Sequence, residues 1–306
     1  MNKEVSILLA TCNSENYIKE QLDSLLGQTY GSISITVSDD TSTDKTVDII
    51  NEYMKNHENI TLVKSETPLK SPQANFWFLL KNAPESDYYM FCDHDDVWLK
   101  EKVEKTLNKM LETEDNCPAL VHSDLFVADE NLNIISPSMI KSQGLNKCPA
   151  LENSLIQSSV TGCTVMINNS LKNLALKKQD VKDMIMHDWF LTVLCLTFGK
   201  IGFVDEPLIL YRQHGNNQVG AKDTKSLNYI FKRAFELSKN KKSIRDTYLQ
   251  AKTIIDVYGN ETENLKIVEA FAKNLERNKF GRIHASFKYG FWKNTFLRKL
   301  GQIIFM

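Results

Sequence analysis

The sequence predicts an α/β protein: a mainly parallel sheet with helices on both faces, followed by a helical C-terminal extension. Three observations predict it. Near-continuous apolar runs alternate with stretches of helical periodicity through the first third of the chain, as strand–helix–strand units do. Polar clusters follow the apolar runs directly, where an open parallel sheet places its ligand crevice. After Gly220 the strand-like runs stop and helical patterning carries on to the end.

Residues 5–10 read as a buried parallel strand, because the run is apolar without alternation. Ile18, Leu22, Leu25 and Leu26 then fall on one face of a helix. Residues 33–37 form a second strand, and Thr43 or Asp44 can cap a helix bearing Val47, Ile50 and Met54. A third strand (residues 60–63), a helix through residues 76–80 and a fourth strand (residues 88–92) complete the regular part. Farther on, short strands are expected at 120–122, 164–167 and 201–204, with a helix over 188–198.

Composition narrows the function classes. The chain has 306 residues, 42% hydrophobic and 25% charged, with a net charge of -1, so nothing draws it toward nucleic acid. Six scattered cysteines without a C-x-x-C pair suggest reduced thiols in a cytoplasmic protein. The N-terminus lacks a signal-peptide layout. The longest apolar run, residues 189–198, is about half of what a spanning helix needs.

Three strand ends converge on one acidic, polar pocket: Thr11 and Asn13 after the first strand, Asp39 and Asp40 after the second, and Asp93, Asp95 and Asp96 after the fourth. Carboxylates crowded at a buried strand end are hard to keep ionised without a cation. Oxygen ligands of this kind suit Mg²⁺ or Mn²⁺, which bind through one or two carboxylates plus substrate phosphates. The bland alternative is that Asp95 or Asp96 caps a helix starting near Leu99; convergence with the other strand ends favours the metal. One of Asp39 and Asp40 can accept from a base imide or a ribose hydroxyl. Asp188, opening an apolar helix in His187-Asp188-Trp189, is either a cap favoured by the helix dipole or a general base beside an aromatic sugar platform. Tyr211-Arg212-Gln213-His214-Gly215 pairs a guanidinium suited to phosphate with an imidazole able to bind metal.

Together these residues resemble the family 2 glycosyltransferases with the GT-A fold. The resemblance runs through residues 5–13, Leu26-Gly27-Gln28-Thr29-Tyr30, residues 38–44 and 91–98, Thr161-Gly162-Cys163, His187-Asp188-Trp189 and residues 206–215. Each piece alone is weak, but the ordered set is specific. The Asp-x-Asp-Asp-x-Trp and His-Asp-Trp motifs are most similar to bacterial rhamnosyltransferase-like enzymes of surface polysaccharide synthesis. Thr41 and Lys45 depart from glycines common in the family, and Cys12 stands where an aromatic is common.

The resemblance implies a GT-A domain over residues 1–220 and a helical region over 221–306. It implies a hexosyltransferase that uses a nucleotide-sugar, dTDP-rhamnose first, with Mn²⁺ or Mg²⁺ as cofactor. Asp40 would contact the base, with Thr11, Asn13 and Glu15 around it; Asn75, Gly162 and Arg212 complete the donor site. Asp93, Asp95 and His214 would serve the metal, with Asp93 also reaching the ribose. His187 and Trp189 would hold the acceptor, and Asp188 would deprotonate its hydroxyl for an inverting displacement. Two rivals stand beside this reading: the same fold with a UDP-hexose or UDP-N-acetylhexosamine donor, and a non-catalytic sugar-nucleotide-binding subunit, against which intact Asp95 and Asp188 argue.

Residues 277–306 carry seven Lys or Arg and no Asp or Glu, interleaved with aromatics; Trp292, Phe296, Leu300 and Ile303 recur at helical spacing. Such a segment suits an anionic membrane surface or packs on its own domain. The membrane reading fits a lipid-linked glycan acceptor at the inner face of the cell membrane; whether the chain forms a homo-oligomer is left open.

Overall fold

The computed structural model describes residues 3–215, 237–259 and 262–306; the expected domain boundary at residue 220 lies outside them. Strand β1 (Val5–Thr11) is buried along its length. It pairs in parallel with β2 (Ile33–Asp39) and β4 (Tyr88–Asp93), and β3 (Ile60–Val63) extends the sheet beyond β2. Register sets Ala10 between Ser38 and Asp93, and Thr11 beside Asp39. The three polar strand ends therefore lie side by side.

Side chains alternate across a strand, so Ile7 and Leu9 face one core and Leu8 and Ala10 the other. Helices α1 (Ile18–Leu26), α2 (Thr46–Asn56) and α4 (Lys102–Thr113) cover the first face, through Leu22, Ile50 and Val103 among others. Helix α3 (Pro72–Asn82) covers the second through Phe76, Leu79 and Leu80, and Ser71 caps it by accepting the Ala74 N–H at 3.2 Å. Asp44 takes the Thr46 N–H at the start of α2, at 3.0 Å.

Beyond β4 the sheet becomes mixed. Its order is β3-β2-β1-β4-β8-β6-β9-β5, where β5 is Val97–Trp98, β6 Ala119–Ala128, β8 Met166–Asn168 and β9 Lys200–Arg212, with β7 (Ile134–Ser136) paired to β6. The strands expected at 120–122 and 201–204 are parts of the longer β6 and β9, which run parallel. Residues 162–164 form a 3-10 turn ahead of β8, a shift from the strand expected at 164–167. The capping alternative for Asp95 and Asp96 is overturned. Val97 and Trp98 pair with Leu210 and Ile209, and α4 begins only after Glu101.

Helices α5 (Met139–Gln143), α6 (Leu151–Ile156) and α7 (Asn169–Ala175) lead to α8 (His187–Phe198). Gly199 then lets the chain turn under Pro118: a Cβ there would overlap the Pro118 carbonyl, which accepts the Lys200 N–H at 3.0 Å and so starts the β6–β9 pairing. Helices α9 (Leu237–Tyr258), α10 (Glu263–Ala272), α11 (Lys279–Tyr289) and α12 (Phe296–Phe305) pack on the Leu8 face. Tyr248, Val268, Phe271 and Phe291 share that core with Phe190 and Leu191 of α8. All six cysteines are free. Among the described residues no helix is long and apolar enough to cross a membrane.

Candidate active site

A cavity of about 970 Å³ opens at the carboxyl ends of β1, β2 and β4. Thr11, Asn13, Asp40, Asn75, Asp93, Asp95, Gly162, His187, Asp188, Trp189 and His214 all line it. Eleven of the thirteen expected site residues thus meet in one space.

The loops after β1 and β2 are locked together. Thr11 Oγ1 donates to Asp39 Oδ1 at 2.8 Å, and Asp39 also accepts the Ser42 N–H at 2.8 Å, so Asp39 serves the loop. Asp40 lines the cavity, with Oδ1 accepting the Leu69 N–H at 2.7 Å. Asn13, Thr41 and Lys70 have φ of 47°, 59° and 63°, a left-handed backbone costing ~1–2 kcal/mol per non-glycine residue. Asn13 offsets that by accepting the Thr43 N–H at 2.8 Å. Asn75, on α3, donates to the carbonyls of Thr11 and Ser38 at 3.4 and 3.2 Å. Its buried Oδ1 has no partner among the described residues.

Four carboxylates crowd the middle of the site. Loss of solvation, then the charges of Asp95 and Asp188, push the Asp93 carboxyl up to about 7. Asp96 is wholly buried; burial and the charges of Asp95 and Asp93 hold it well above the usual range, while Oδ1 accepts the Arg212 N–H at 3.1 Å. Asp95 Oδ2 lies 2.8 Å from His214 Nε2.

Asp188 sits in the first turn of α8 and accepts N–H bonds from Trp189, at 2.6 Å, and from Gly162. Those bonds favour the ionised form, yet burial outweighs them and raises its carboxyl to about 6. Beside it, His187 is wedged between the rings of Phe76 and Phe91, with centroids at 4.2 and 4.8 Å. Burial lowers its pKa to about 3, so it is neutral, and neither ring nitrogen has a hydrogen-bond partner among the described residues. Gly162 lies against both: a Cβ there would come within 3.0 Å of His187 Nε2 and 3.4 Å of Asp188 Oδ2. Trp189 Nε1 donates to the Ser154 carbonyl at 2.5 Å.

Residues 6–169 match the model of the family described as glycosyl transferase family 2. The chain is also 31% identical over 225 residues to the dTDP-rhamnosyl transferase RfbG of Shigella flexneri, an overlap covering 70% of this chain and 74% of that protein. The chain belongs to glycosyl transferase family 2. A glycosyltransferase of Rickettsia typhi is 30% identical over 214 residues, covering 69% of this chain and 64% of that protein. Among solved structures, S. aureus TarS 1-349 in complex with UDP-GlcNAc superposes with a TM-score of 0.60 at 18% identity, over 94% of this chain and 73% of that one. The mannosyltransferase PcManGT of Pyrobaculum calidifontis, in complex with GDP-Man and Mn²⁺, gives 0.59 at 16% identity, over 94% and 74%. These likenesses are of fold, and the fold is of the GT-A kind.

As a family 2 glycosyltransferase the chain places two expected donor residues outside the cavity lining. Glu15 turns to α2, where Oε2 accepts the Lys45 N–H at 3.0 Å. Arg212 is buried and donates to the Asp95 carbonyl at 2.8 Å, to the Glu130 carbonyl and to Glu20. Its guanidinium braces the loop that carries Asp95. Thr41 adopts a left-handed backbone, which glycine takes at least cost.

The expected cation ligands can be weighed on chemistry. Asp93, Asp96 and Cys163 are the group whose ligand atoms approach within 4.8 Å of one another among the described residues. Burial and the neighbouring Asp96 and Asp93 push the Cys163 thiol well up, and a thiol is a poor ligand until deprotonated. The carboxylates of Asp93 and Asp95 are harder donors than that thiol and suit Mn²⁺ or Mg²⁺, and the His214 imidazole lies 2.8 Å from Asp95.

Several lining residues escaped sequence reasoning. Tyr17 stacks on His214 at 4.7 Å, with the Arg212 guanidinium 5.0 Å from its ring. Lys70 could have been flagged by its place just before the Ser71-Pro72 helix start. Met139, Gln143 and Ser159 belong to no motif and reach the cavity only through the packing of α5 and α6.

Proposed function

We propose that this glycosyltransferase moves rhamnose from dTDP-rhamnose to a hydroxyl of a lipid-linked glycan, with inversion at the anomeric carbon and with Mn²⁺ or Mg²⁺ bound. One observation carries the reading: Asp188, its carboxyl raised to about 6, faces the same cavity as Asp93 and Asp95. A base poised just below neutral pH accepts a proton from an attacking hydroxyl efficiently. The hydroxyl oxygen then bonds to the anomeric carbon as the bond to the diphosphate breaks on the opposite face.

Asp40 takes the base imide, Thr11 and Asn13 close the nucleotide pocket, and the unpartnered Asn75 Oδ1 accepts from the donor. Asp93, Asp95 and His214 would hold the cation, which supplies Lewis-acid neutralisation of the leaving diphosphate. Gly162 keeps clear the space beside Asp188, and His187 and Trp189 flank the acceptor. Glu15 and Arg212 act as braces for the loops around them. The name of the Shigella relative supports the rhamnose donor, and a lipid-linked acceptor puts the work at the inner face of the cell membrane.

A thermal-shift series with dTDP, UDP, dTDP-rhamnose and UDP-N-acetylglucosamine, each with and without Mn²⁺, tests this. Ligand binding stabilises the fold with the logarithm of ligand excess over its dissociation constant. The expected result is a Mn²⁺-dependent shift that is largest with dTDP-rhamnose. A larger shift with the UDP-sugar would replace the donor, and no shift with any diphosphate would remove the reading.

A further inference from the structure

The C-terminal helices hold a surface that the transfer chemistry leaves unused. Phe280 and Phe287 lie seven residues apart on one face of α11 and are 81% and 73% exposed. On α12, Phe296, Leu297, Leu300 and Ile304 share a face and are likewise exposed. Lys279 Nζ donates to the Ile304 carbonyl at 3.2 Å and Arg282 to the Met306 carbonyl at 2.8 Å, so the start of α11 is tied to the end of α12. The opposite side of the pair is docked: Phe291 and Gln302 are buried, and Gln302 Nε2 donates to the Phe291 carbonyl at 2.6 Å.

One side of these helices packs on the domain, as one of the two expectations had it, and the other side is exposed. The outward stripe differs from the one expected, since Trp292 and Ile303 are half-buried while Leu297 and Ile304 take the exposed face.

We infer that the exposed face of α11 and α12 docks on an anionic bilayer. Charge complementarity selects that occupant. Residues 277–306 carry seven Lys or Arg and no Asp or Glu, and Arg277 and Lys279 bond to carbonyl oxygens, with no Asp or Glu partner among the described residues. Aromatic and aliphatic rows beside basic side chains, in a segment without Asp or Glu, match the interfacial zone of an anionic leaflet, not the mixed surface of a protein partner.

The docked side reaches the active site. Asn294, in the link between the two helices, donates to Gln157 Oε1 at 3.2 Å and to Ser159 Oγ at 2.9 Å, and accepts from Asn146 Nδ2 at 3.0 Å. Ser159 lines the cavity, as does Gln143. Bilayer contact thus bears on the cavity lining at Ser159. This purpose rests on the proposed lipid-linked acceptor, but the docking itself needs neither donor nor cation.

Flotation of the full chain with vesicles of mixed phosphatidylglycerol and phosphatidylcholine, against pure phosphatidylcholine, tests it. Wild-type protein should float with the anionic vesicles at low salt and be released by high salt. Phe296→Ser with Leu300→Ser should cut partitioning by about tenfold for each side chain withdrawn, with an unchanged melting temperature. Lys288→Gln with Lys299→Gln should weaken binding to anionic vesicles alone. Wild-type protein that ignores anionic vesicles overturns the inference, as does binding untouched by either pair. A dimer broken by the serine pair, without vesicle binding, would assign the face to a second copy instead. Vesicle binding in a protein that no nucleotide-sugar stabilises would remove the proposed function and leave this inference standing.

Discussion

His214 Nε2 lies 2.8 Å from Asp95 Oδ2, although 119 residues separate the two in the chain. Three contacts hold that meeting in place. Tyr17 stacks on the imidazole at 4.7 Å, Arg212 Nε donates to the Asp95 carbonyl at 2.8 Å, and β5, just after Asp95, pairs with the part of β9 just ahead of His214. The end of β9 and the loop after β4 are thereby built as one unit.

His214→Ala is expected to weaken cation-dependent donor binding by about 10- to 100-fold, the usual cost of losing a group that ligates or orients at a metal site. Titration of Mn²⁺ in the presence of donor, followed by thermal shift, checks it. An unchanged midpoint would take His214 out of the metal assignment.

Asp188→Asn should lower kcat by ~10²–10⁴, the range for loss of a general base, while the donor-induced thermal shift persists. The pH profile has a definite sign. A base works deprotonated, so a carboxyl raised to about 6 makes kcat fall as pH drops through that value and level off above it. Turnover measured at saturating Mn²⁺ checks both. Near-normal turnover in the variant, or a plateau running a full unit below that pH, would leave Asp188 without the role.

Gly162→Ala places a methyl within 3.0 Å of His187 Nε2, and the Phe76 and Phe91 rings leave that imidazole nowhere to move. Overpacking of this kind costs ~1–3 kcal/mol, and the displacement should reach Asp188 as a loss of turnover. Denaturation and kcat measured on the same variant separate the two effects; wild-type values in both would mean the turn relaxes freely.

His187→Leu should raise stability by about 1 kcal/mol or leave it unchanged, because replacing an unsatisfied buried polar group with an apolar one removes a desolvation cost. The sign with pH follows from its depressed pKa. The unfolded chain takes up a proton near 6.5 that the folded one refuses until about 3, so wild-type stability falls on acidification across that window. The variant should lose that part of the slope. Denaturant titrations at several pH values decide it, and a marked destabilisation at neutral pH would show that the imidazole has a partner.

Much of the donor half was legible in the sequence. A central parallel strand is buried on both faces, so β1 and β4 show as unbroken apolar runs, and the residues that end them are those whose side chains point into the crevice. Thr11 and Asp93 could be placed on that rule alone, whereas the choice of Asp40 over Asp39 came from the family resemblance. Arg212 shows its limit: a guanidinium near the site reads as a phosphate ligand, but its partners, Glu20 and the Asp95 and Glu130 carbonyls, come together only when β9 crosses the sheet. Likewise Val97 and Trp98 make a strand because Leu210 and Ile209 lie opposite, a pairing that two residues cannot announce.

The sequence by itself determined the class of fold, the family and the strand ends where polar chemistry gathers, since these depend on local periodicity and on which residue follows which run. Tertiary structure alone decided that Glu15 and Arg212 are braces, and that Phe296 and Ile304 face outward while Gln302 is buried. Those outcomes depend on the competition among distant groups for the same buried space, and chain order does not encode who wins it.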